Sequence, residues 1–317
     1  MGDVPLKDSL LATLVAVIWG VNFVVIDAGL DDDMPPLLFA ALRFAVVSLA
    51  VVVVARPAVA FRQVALVGLF MSVGQFGLLY SALAMGMPPG LASLVLQAQV
   101  VLTVVFAAVR LAERPTGAQV VGVVLGAVGL GVVALGRSAA TPLLALLVTV
   151  AAAASWACGN VVARRAGAAS GFGLTVWSAT VVPVPLLVLS LLLDGPAEVG
   201  HALTSLSLAA VLSTAYTAVL ASWVGYGIWN SLLARHRTSA VVPFTLLVPL
   251  VGMVSAWLVL EEVPNAAEAG GGVVLLLGVA TAALGRFGPG GRPGPQPASA
   301  AYSAAVEERV DAVPGRR

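Results

Sequence analysis

Charge is what this chain has least of. Its 317 residues carry 16 Lys and Arg against 15 Asp and Glu, 10% in all, for a formal net charge of +1. There is one cysteine, Cys158, so an internal disulfide is excluded. It lies in an apolar run and reads as small packing material between helices. Two histidines, His201 and His236, both in expected loops, make no metal site. No Gly-x-x-x-x-Gly-Lys-Ser/Thr loop occurs, so nothing suggests direct ATP use. Apolar side chains are abundant instead: 60% of the residues are hydrophobic and the mean hydropathy is +1.04, outside the range of soluble domains. Runs of roughly 20 apolar residues, the length that crosses a bilayer, recur along almost the whole chain. The composition defines an all-α polytopic membrane protein whose obligatory partner is the lipid bilayer. No cofactor, metal or nucleic acid is expected.

Ten transmembrane helices are expected at 8–28, 35–56, 62–84, 88–111, 117–136, 141–165, 173–193, 206–233, 238–260 and 266–285. Pro35-Pro36, Pro88-Pro89, Pro115 and Pro142 stand at or near their starts or turns, where a missing N–H is harmless. Lys7 and the run after it imitate a signal peptide. That run continues past signal length, contains Trp19 and Asn22 and reaches no small-x-small cleavage site, so it reads as the first span. Residues 288–317, rich in Gly, Pro and Ala, cannot bury enough surface to fold and are expected to form a disordered cytoplasmic tail. With a cytoplasmic N-terminus the inner face collects Lys7, Arg56, Arg62, Arg110, Arg114, Arg164, Arg165, Arg235, Arg237 and Arg286, and the outer face only Arg137. Both ends are expected inside.

The two halves echo each other. A shift of 149 positions places Glu113 on Glu262, Pro115 on Pro264, Gly122 on Gly271, Gly129 on Gly278 and Tyr80 on Trp229. Nearer the start of each half the shift is 137, where Trp19 meets Trp156, and a longer connection around Asp194–Ser205 accounts for the difference. A unit of five helices, an odd number, re-enters the membrane upside down. The expected domains are therefore 1–136 and 137–287, two inverted five-helix repeats of the kind that place a site between them near the midplane.

The stretch Pro88-Pro89-Gly90-Leu91-Ala92-Ser93-Leu94-Val95-Leu96-Gln97-Ala98-Gln99 carries two amides deep in an apolar span, where each needs a partner or a wet cavity. Ser93 and Gln97 share one face, Gln99 and Thr103 another. At roughly 100° per residue the two glutamines point about 200° apart, so one is expected on a pathway and the other, Gln99, on a neighbouring helix.

Together with Trp19-Gly20-Val21-Asn22, Leu42-Arg43-Phe44, Ser155-Trp156-Ala157-Cys158-Gly159-Asn160 and Val224-Gly225-Tyr226-Gly227-Ile228-Trp229, that stretch is similar to the EamA family of the drug/metabolite transporter superfamily. The likeness spans Lys7 to Gly285, and the Gly90–Gln99 and Ser155–Asn160 runs resemble its O-acetylserine and cysteine exporters. The resemblance implies ten helices in the bacterial inner membrane, cytoplasmic termini and export of small zwitterionic amino-acid metabolites. Two positions depart from the family pattern: Glu261-Glu262-Val263 lacks the arginine that Arg114 supplies in the first half, and Asp27 stands where a lysine is usual.

The candidate pathway residues each have a second reading. Arg43, the one basic residue well inside a span, costs about 2.5–3.5 kcal/mol to insert unless paired or hydrated. It either holds a substrate carboxylate or bonds backbone carbonyls, Asn22 or Asp27. Asn22, Ser93, Gln97, Gln99 and Asn160 either meet substrate or join helices at about 0.6 kcal/mol per bond. Tyr80, Trp156, Tyr226 and Trp229 either wall a cavity and face an ammonium or simply pack. Pro243 and Pro249 mark a hinge or a static kink, and Pro249 frees the carbonyl of Thr245. Gly122, Gly126 and the Gly270–Gly278 region read as close-packing surfaces. Asp31-Asp32-Asp33 lacks a second aspartate-rich motif and reads as a solvated turn; Glu113-Arg114 reads as a loop pair or a proton site. Efflux of another amino acid or a drug-like amphiphile is the alternative function, and a membrane-embedded transferase a remote one. No enzyme activity is expected, and a homodimer stays open.

Overall fold

The computed structural model describes residues 5–30, 34–138, 141–167, 171–236 and 238–285. The Asp31–Asp33 cluster and the 288–317 tail lie outside the described residues. Everything regular in the described part is helical. Nine helices are long and apolar enough to cross a membrane: Leu6–Gly29 (span 1), Phe61–Ala84 (span 3), Pro89–Leu111 (span 4), Gly117–Gly136 (span 5), Leu143–Ala166 (span 6), Gly171–Leu193 (span 7), Leu208–Arg235 (span 8), Val242–Leu260 (span 9) and Ala266–Leu284 (span 10). The shorter apolar helix Pro36–Val52 is span 2. The molecule is an all-α polytopic membrane protein of ten helices, with boundaries within a few residues of those expected. The long connection before span 8 contains a further short helix, Pro196–Thr204, that hydropathy does not reveal.

Local chemistry sets the ends. Spans 2 and 4 begin on Pro36 and Pro89, with a second proline just before each. Spans 5 and 10 begin with reciprocal capping boxes, Thr116 with Gln119 and Asn265 with Glu268. Spans 4 and 9 both end on a non-glycine residue in the left-handed region, Ala112 at φ 52° and Glu261 at φ 55°. All three pairs of positions in spans 4, 5, 9 and 10 are 149 residues apart, so the echo seen in sequence extends to backbone detail.

Spans 5 and 10 form the tightest pair, and glycine makes it. A Cβ built on Gly122 would sit 2.5 Å from the Ala282 nitrogen and 2.7 Å from the Gly278 oxygen; one on Gly271 would sit 2.8 Å from the Gly129 oxygen. Gly136 faces Ala267 at one end and Gly285 faces Ala118 at the other, so the two helices run antiparallel. Their backbones touch, which is how membrane helices gain packing energy where no hydrophobic drive exists between them.

The remaining spans surround a buried core that runs from Phe23 and Phe39 through Leu79 and Leu94 to Leu186 and Leu275. Where span 1 begins, here the near face, Asp8 accepts from Arg235 at 3.1 Å and meets His236 at 2.6 Å, tying span 1 to the end of span 8. On the same face Arg164 pairs with Glu113 at 2.8 Å. Glu113 therefore reaches across to span 6 instead of closing a local pair with Arg114.

Candidate functional site

Several spans depart from regular α-helix, span 7 among them between Ala179 and Pro183, and the departures in spans 3, 4, 8 and 9 line one cavity. Spans 3 and 8 widen into i→i+5 turns at Leu69–Gly74 and Tyr216–Val224. Such π-type turns strain the ladder and free backbone groups, and they concentrate at functional sites. Ser155 of span 6 donates to the Phe70 carbonyl at 2.8 Å, and Ser222 donates to Thr217 at 2.8 Å within its own wide turn. Span 4 is interrupted between Val95 and Ala98, and span 9 tightens to i→i+3 geometry over Val242–Leu246 before resuming at Leu247.

Between these irregular segments lies a cavity of about 370 Å³. Its polar wall holds Asn22, Arg43, Gln75, Ser93, Gln97, Gln99 and Asn160, and its aromatic wall Trp19, Trp156, Tyr226 and Trp229. It shares Gln99, Asn160 and Thr245 with a second cavity of about 340 Å³ that reaches Glu113, Arg114 and Arg164 on the near face. It shares Arg43, Tyr226 and Trp229 with a third, of about 380 Å³, that reaches Gly171. On the far face a separate cavity of about 1040 Å³, lined by Met34, Pro36, Asp194 and His201, shares no lining residue with the central one, and the side chains of Phe39, Leu83, Met87 and Leu91 are buried. The central cavity thus adjoins the near-face space and not the far-face cavity.

Arg43 is 2% exposed and takes part in none of the ion pairs among the described residues. Its Nη1 donates to the Tyr80 hydroxyl at 3.3 Å and its Nη2 to the Ser222 hydroxyl at 3.2 Å. The guanidinium carbon lies 4.1 Å from the centre of the Phe76 ring. The partners foreseen for a structural Arg43 included Asn22 and backbone carbonyls; two hydroxyls and a ring face take that place. Tyr80 itself is fully buried against Phe39 behind the arginine and does not line the cavity. It orients Arg43 from within the core, the packing alternative of its two readings.

The two glutamines meet one expectation and depart from another: Gln99 does bond a neighbouring helix, through Asn160, but it is not turned away from the pathway. Both line the same cavity. At the interruption the bonds shorten to i→i−3, from Gln99 N–H to Leu96 and from Val100 N–H to Gln97. Such turns wind at roughly 120° per residue, so the glutamines are separated by about 120° instead of 160°. Gln97 donates its amide to the Thr245 carbonyl at 3.2 Å, the carbonyl that Pro249 cannot satisfy. Gln99 accepts from Asn160 at 2.9 Å, and Asn160 also donates to Thr103 at 3.1 Å. Ser93 is turned back onto Gly90 at 2.7 Å and lies 3.5 Å from the Pro249 carbonyl. Pro243 lines the cavity on the near face, whereas Pro249 acts through its neighbours.

Sequence reasoning passed over Trp19, Gln75 and Ser222 as site residues. Trp19 stands one turn before Asn22 on the same helix, a spacing that could have flagged it. Gln75, 2% exposed, follows the wide turn of span 3 directly, but nothing in the sequence announces that turn. Away from the cavity, Glu262 accepts from the Gly90 and Leu91 N–H groups at 3.0 and 3.2 Å, so this one carboxylate of the second half caps the entry to span 4. Burial pushes the Glu262 carboxyl above its ordinary range; the two N–H bonds oppose this and Glu268 adds to it.

A multi-span helical bundle with a polar, one-sided cavity at the level of broken helices defines a membrane carrier. The comparisons make the class specific. The EamA-like transporter family matches twice, at residues 7–135 and 143–284, and the chain belongs to that family. It is 43% identical over 282 residues to a probable amino-acid metabolite efflux pump of Escherichia coli, covering 86% of this chain and 93% of that one. A protein of the same description from Salmonella typhimurium is 41% identical, again over 86% and 93%. A probable terminal-alkyne amino-acid exporter of Streptantibioticus cattleyicolor is 31% identical over 84% and 90%. One solved crystal structure superposes with a TM-score of 0.58 at 21% identity, over 87% of this chain and 96% of that one, a likeness of fold.

Proposed function

We propose that the protein exports small neutral amino-acid metabolites of the O-acetylserine and cysteine kind across the bacterial inner membrane by alternating access. The central cavity carries this reading. Its volume falls within the range of small-molecule sites, and it holds a buried arginine that has no carboxylate partner among the described residues, beside neutral amides. Arg43 then receives the substrate carboxylate in a charge-assisted contact while Tyr80 and Ser222 keep the guanidinium oriented. The near face, to which the basic loops belong, is cytoplasmic with both ends of the chain, so the cavity is in its loading state. Two inverted repeats account for the antiparallel spans 5 and 10 and for the matched interruptions of spans 4 and 9, which supply the moving parts with Pro243 and Pro249. The Streptantibioticus relative supports a close alternative, a different amino acid with an apolar side chain against the aromatic wall.

Efflux of labelled O-acetylserine and cysteine from loaded cells tests the reading, comparing the intact protein with Arg43→Lys and Gln97→Ala at equal membrane abundance. The intact protein is expected to drain both compounds, Arg43→Lys to lose most of that rate and Gln97→Ala a smaller part. An unchanged rate in Gln97→Ala assigns that residue to helix packing. Failure of the intact protein to move either compound refutes the substrate class.

A further inference from the structure

We infer that the central cavity has a separate subsite for the substrate α-ammonium, built by Asn22 and the ring cluster of Trp19, Tyr226 and Trp229. Export then requires a free α-amino group as well as a carboxylate. The inference rests on the reading that this cavity carries amino acids and adds which part of the molecule each wall takes.

Among the buried side-chain atoms of the described residues, three lack a hydrogen-bond partner, and two of these belong to residues lining this cavity. One is a donor, Arg43 Nε; the other is an acceptor, Asn22 Oδ1. Their residues are 2% and 7% exposed. Neither atom has appreciable accessible surface in this state, so a substrate in the cavity satisfies them only as the two side chains turn toward the space they line; until then both carry the cost of a buried polar atom without a partner. A donor with positive charge calls for a carboxylate oxygen. A lone carbonyl acceptor calls for an N–H. An amino acid carries both groups on one carbon.

The surroundings of Asn22 match that sign. Trp19, one helical turn away, lies 5.1 Å from Tyr226 and 5.5 Å from Trp229, centroid to centroid, with the rings tilted at 51° and 56°. The Trp19 indole N–H is already spent on the Ala221 carbonyl at 2.9 Å, so what this cavity-lining residue has left to offer a ligand is its ring and not its donor. Aromatic faces attract ammonium ions and disfavour carboxylates. Among the described residues no acidic side chain lines the cavity, and Arg43 repels any cation that arrives without an anionic group of its own. A simple amine is therefore refused by the arginine, and an N-acylated acid gives up the ammonium contact. The substrate side chain carries no such requirement, which leaves that part of the molecule free to vary.

O-acetylserine and N-acetylserine are isomers that differ in whether the nitrogen is charged, and O-acetylethanolamine lacks the carboxylate. Uptake of labelled O-acetylserine into inside-out vesicles, in mildly acidic buffer where the acyl group stays on oxygen, is competed with each of the three unlabelled compounds. With the intact protein, N-acetylserine and O-acetylethanolamine are expected to compete at least tenfold more weakly than O-acetylserine. Asn22→Leu is expected to raise the half-saturating O-acetylserine concentration at least tenfold and to shrink its advantage over N-acetylserine. Trp229→Leu should act in the same direction, and Trp229→Phe, which keeps a ring face, should restore most of the preference; this pair keeps the test decisive if Asn22→Leu inserts poorly. Equal competition by the two isomers in the intact protein, or an unaltered preference in Trp229→Leu, overturns the subsite while leaving amino-acid export standing. Vesicles that take up no O-acetylserine overturn both.

Discussion

Spans 5 and 10 and spans 4 and 9 are built from nearly the same apolar composition and do opposite things. The first pair is regular α-helix, capped at its start by reciprocal side-chain bonds and pressed together through glycines until the backbones meet. The second pair is interrupted at the level of the cavity, and its loose ends are tied by side chains: Gln97 to the Thr245 carbonyl and Asn160 to Gln99. Hydrophobicity puts all four in the membrane. Glycine placement makes one pair a fixed strut, and a few amides with proline make the other a set of alternatives. A carrier needs both, because a moving element has to move against something that does not.

The sharpest way to break that contrast is to widen the strut. Gly122→Ala drives a methyl into the Ala282 nitrogen and the Gly278 oxygen, backbone atoms that cannot step aside. The expected cost is about 3 kcal/mol, at the upper end for overpacking, read as a lowered unfolding temperature in detergent. Gly131→Ala, at a half-buried position further along the same span where an added Cβ meets nothing within 4 Å, should be neutral or gain up to about 1 kcal/mol of helix propensity. Equal losses in the two variants would mean that the glycines are not what closes the pair.

Next comes Asn160→Ala, which removes the bonds to Gln99 and Thr103. At about 0.6 kcal/mol for each interhelical bond, stability should fall by roughly 1.2 kcal/mol, less than half the effect of Gly122→Ala. Transport should fall several-fold, because Gln99 loses the partner that holds it at the cavity wall. A stability loss with transport intact would leave Asn160 a packing residue.

Pro249→Ala restores an N–H that can compete with Gln97 for the Thr245 carbonyl. Stability should change by under about 1 kcal/mol and the transport rate should drop, since straightening span 9 favours one state over the other. An unchanged rate would make the proline a static kink.

The smallest effect concerns the far-face cap. Burial raises the Glu262 carboxyl from its reference of 4.5, so the native state binds its proton more tightly than the unfolded chain does. That contribution is fully present below about pH 4.5 and is lost as pH rises through the raised native value. Glu262→Gln cannot titrate, so the melting temperature of the intact protein relative to this variant should decline across that window. A flat difference would mean that the cap stays in one protonation state.

Much of the frame was legible because it depends on short-range signals. Twenty-residue apolar runs, prolines at helix starts and the 149-residue echo are each visible within a window or by a single shift. Most polar residues of the cavity, though not Gln75, were legible for a related reason: an uncharged amide or an arginine in hydrocarbon stands out and needs a partner. Of the ten candidate pathway positions, Tyr80 alone lies behind the wall, and it does so because it serves Arg43. What could not be read was the i→i+5 widening of spans 3 and 8, since Leu-Phe-Met-Ser-Val-Gly would serve an ordinary α-turn equally well. The angle between Gln97 and Gln99 failed for the same reason, as it assumed a regular helix where the ladder shortens.

The sequence by itself determined that this chain lives in a bilayer, crosses it ten times and carries a small set of polar groups at depth, because transfer of side chains from water to hydrocarbon is a local, additive property. Only the tertiary structure decided which of those groups meet. Ser222 reaches Arg43 across 179 positions and Glu262 reaches Gly90 across 172. Contacts at that separation depend on how helices cross, and crossing is set by glycine faces and interrupted turns acting together, which no single stretch of the chain contains.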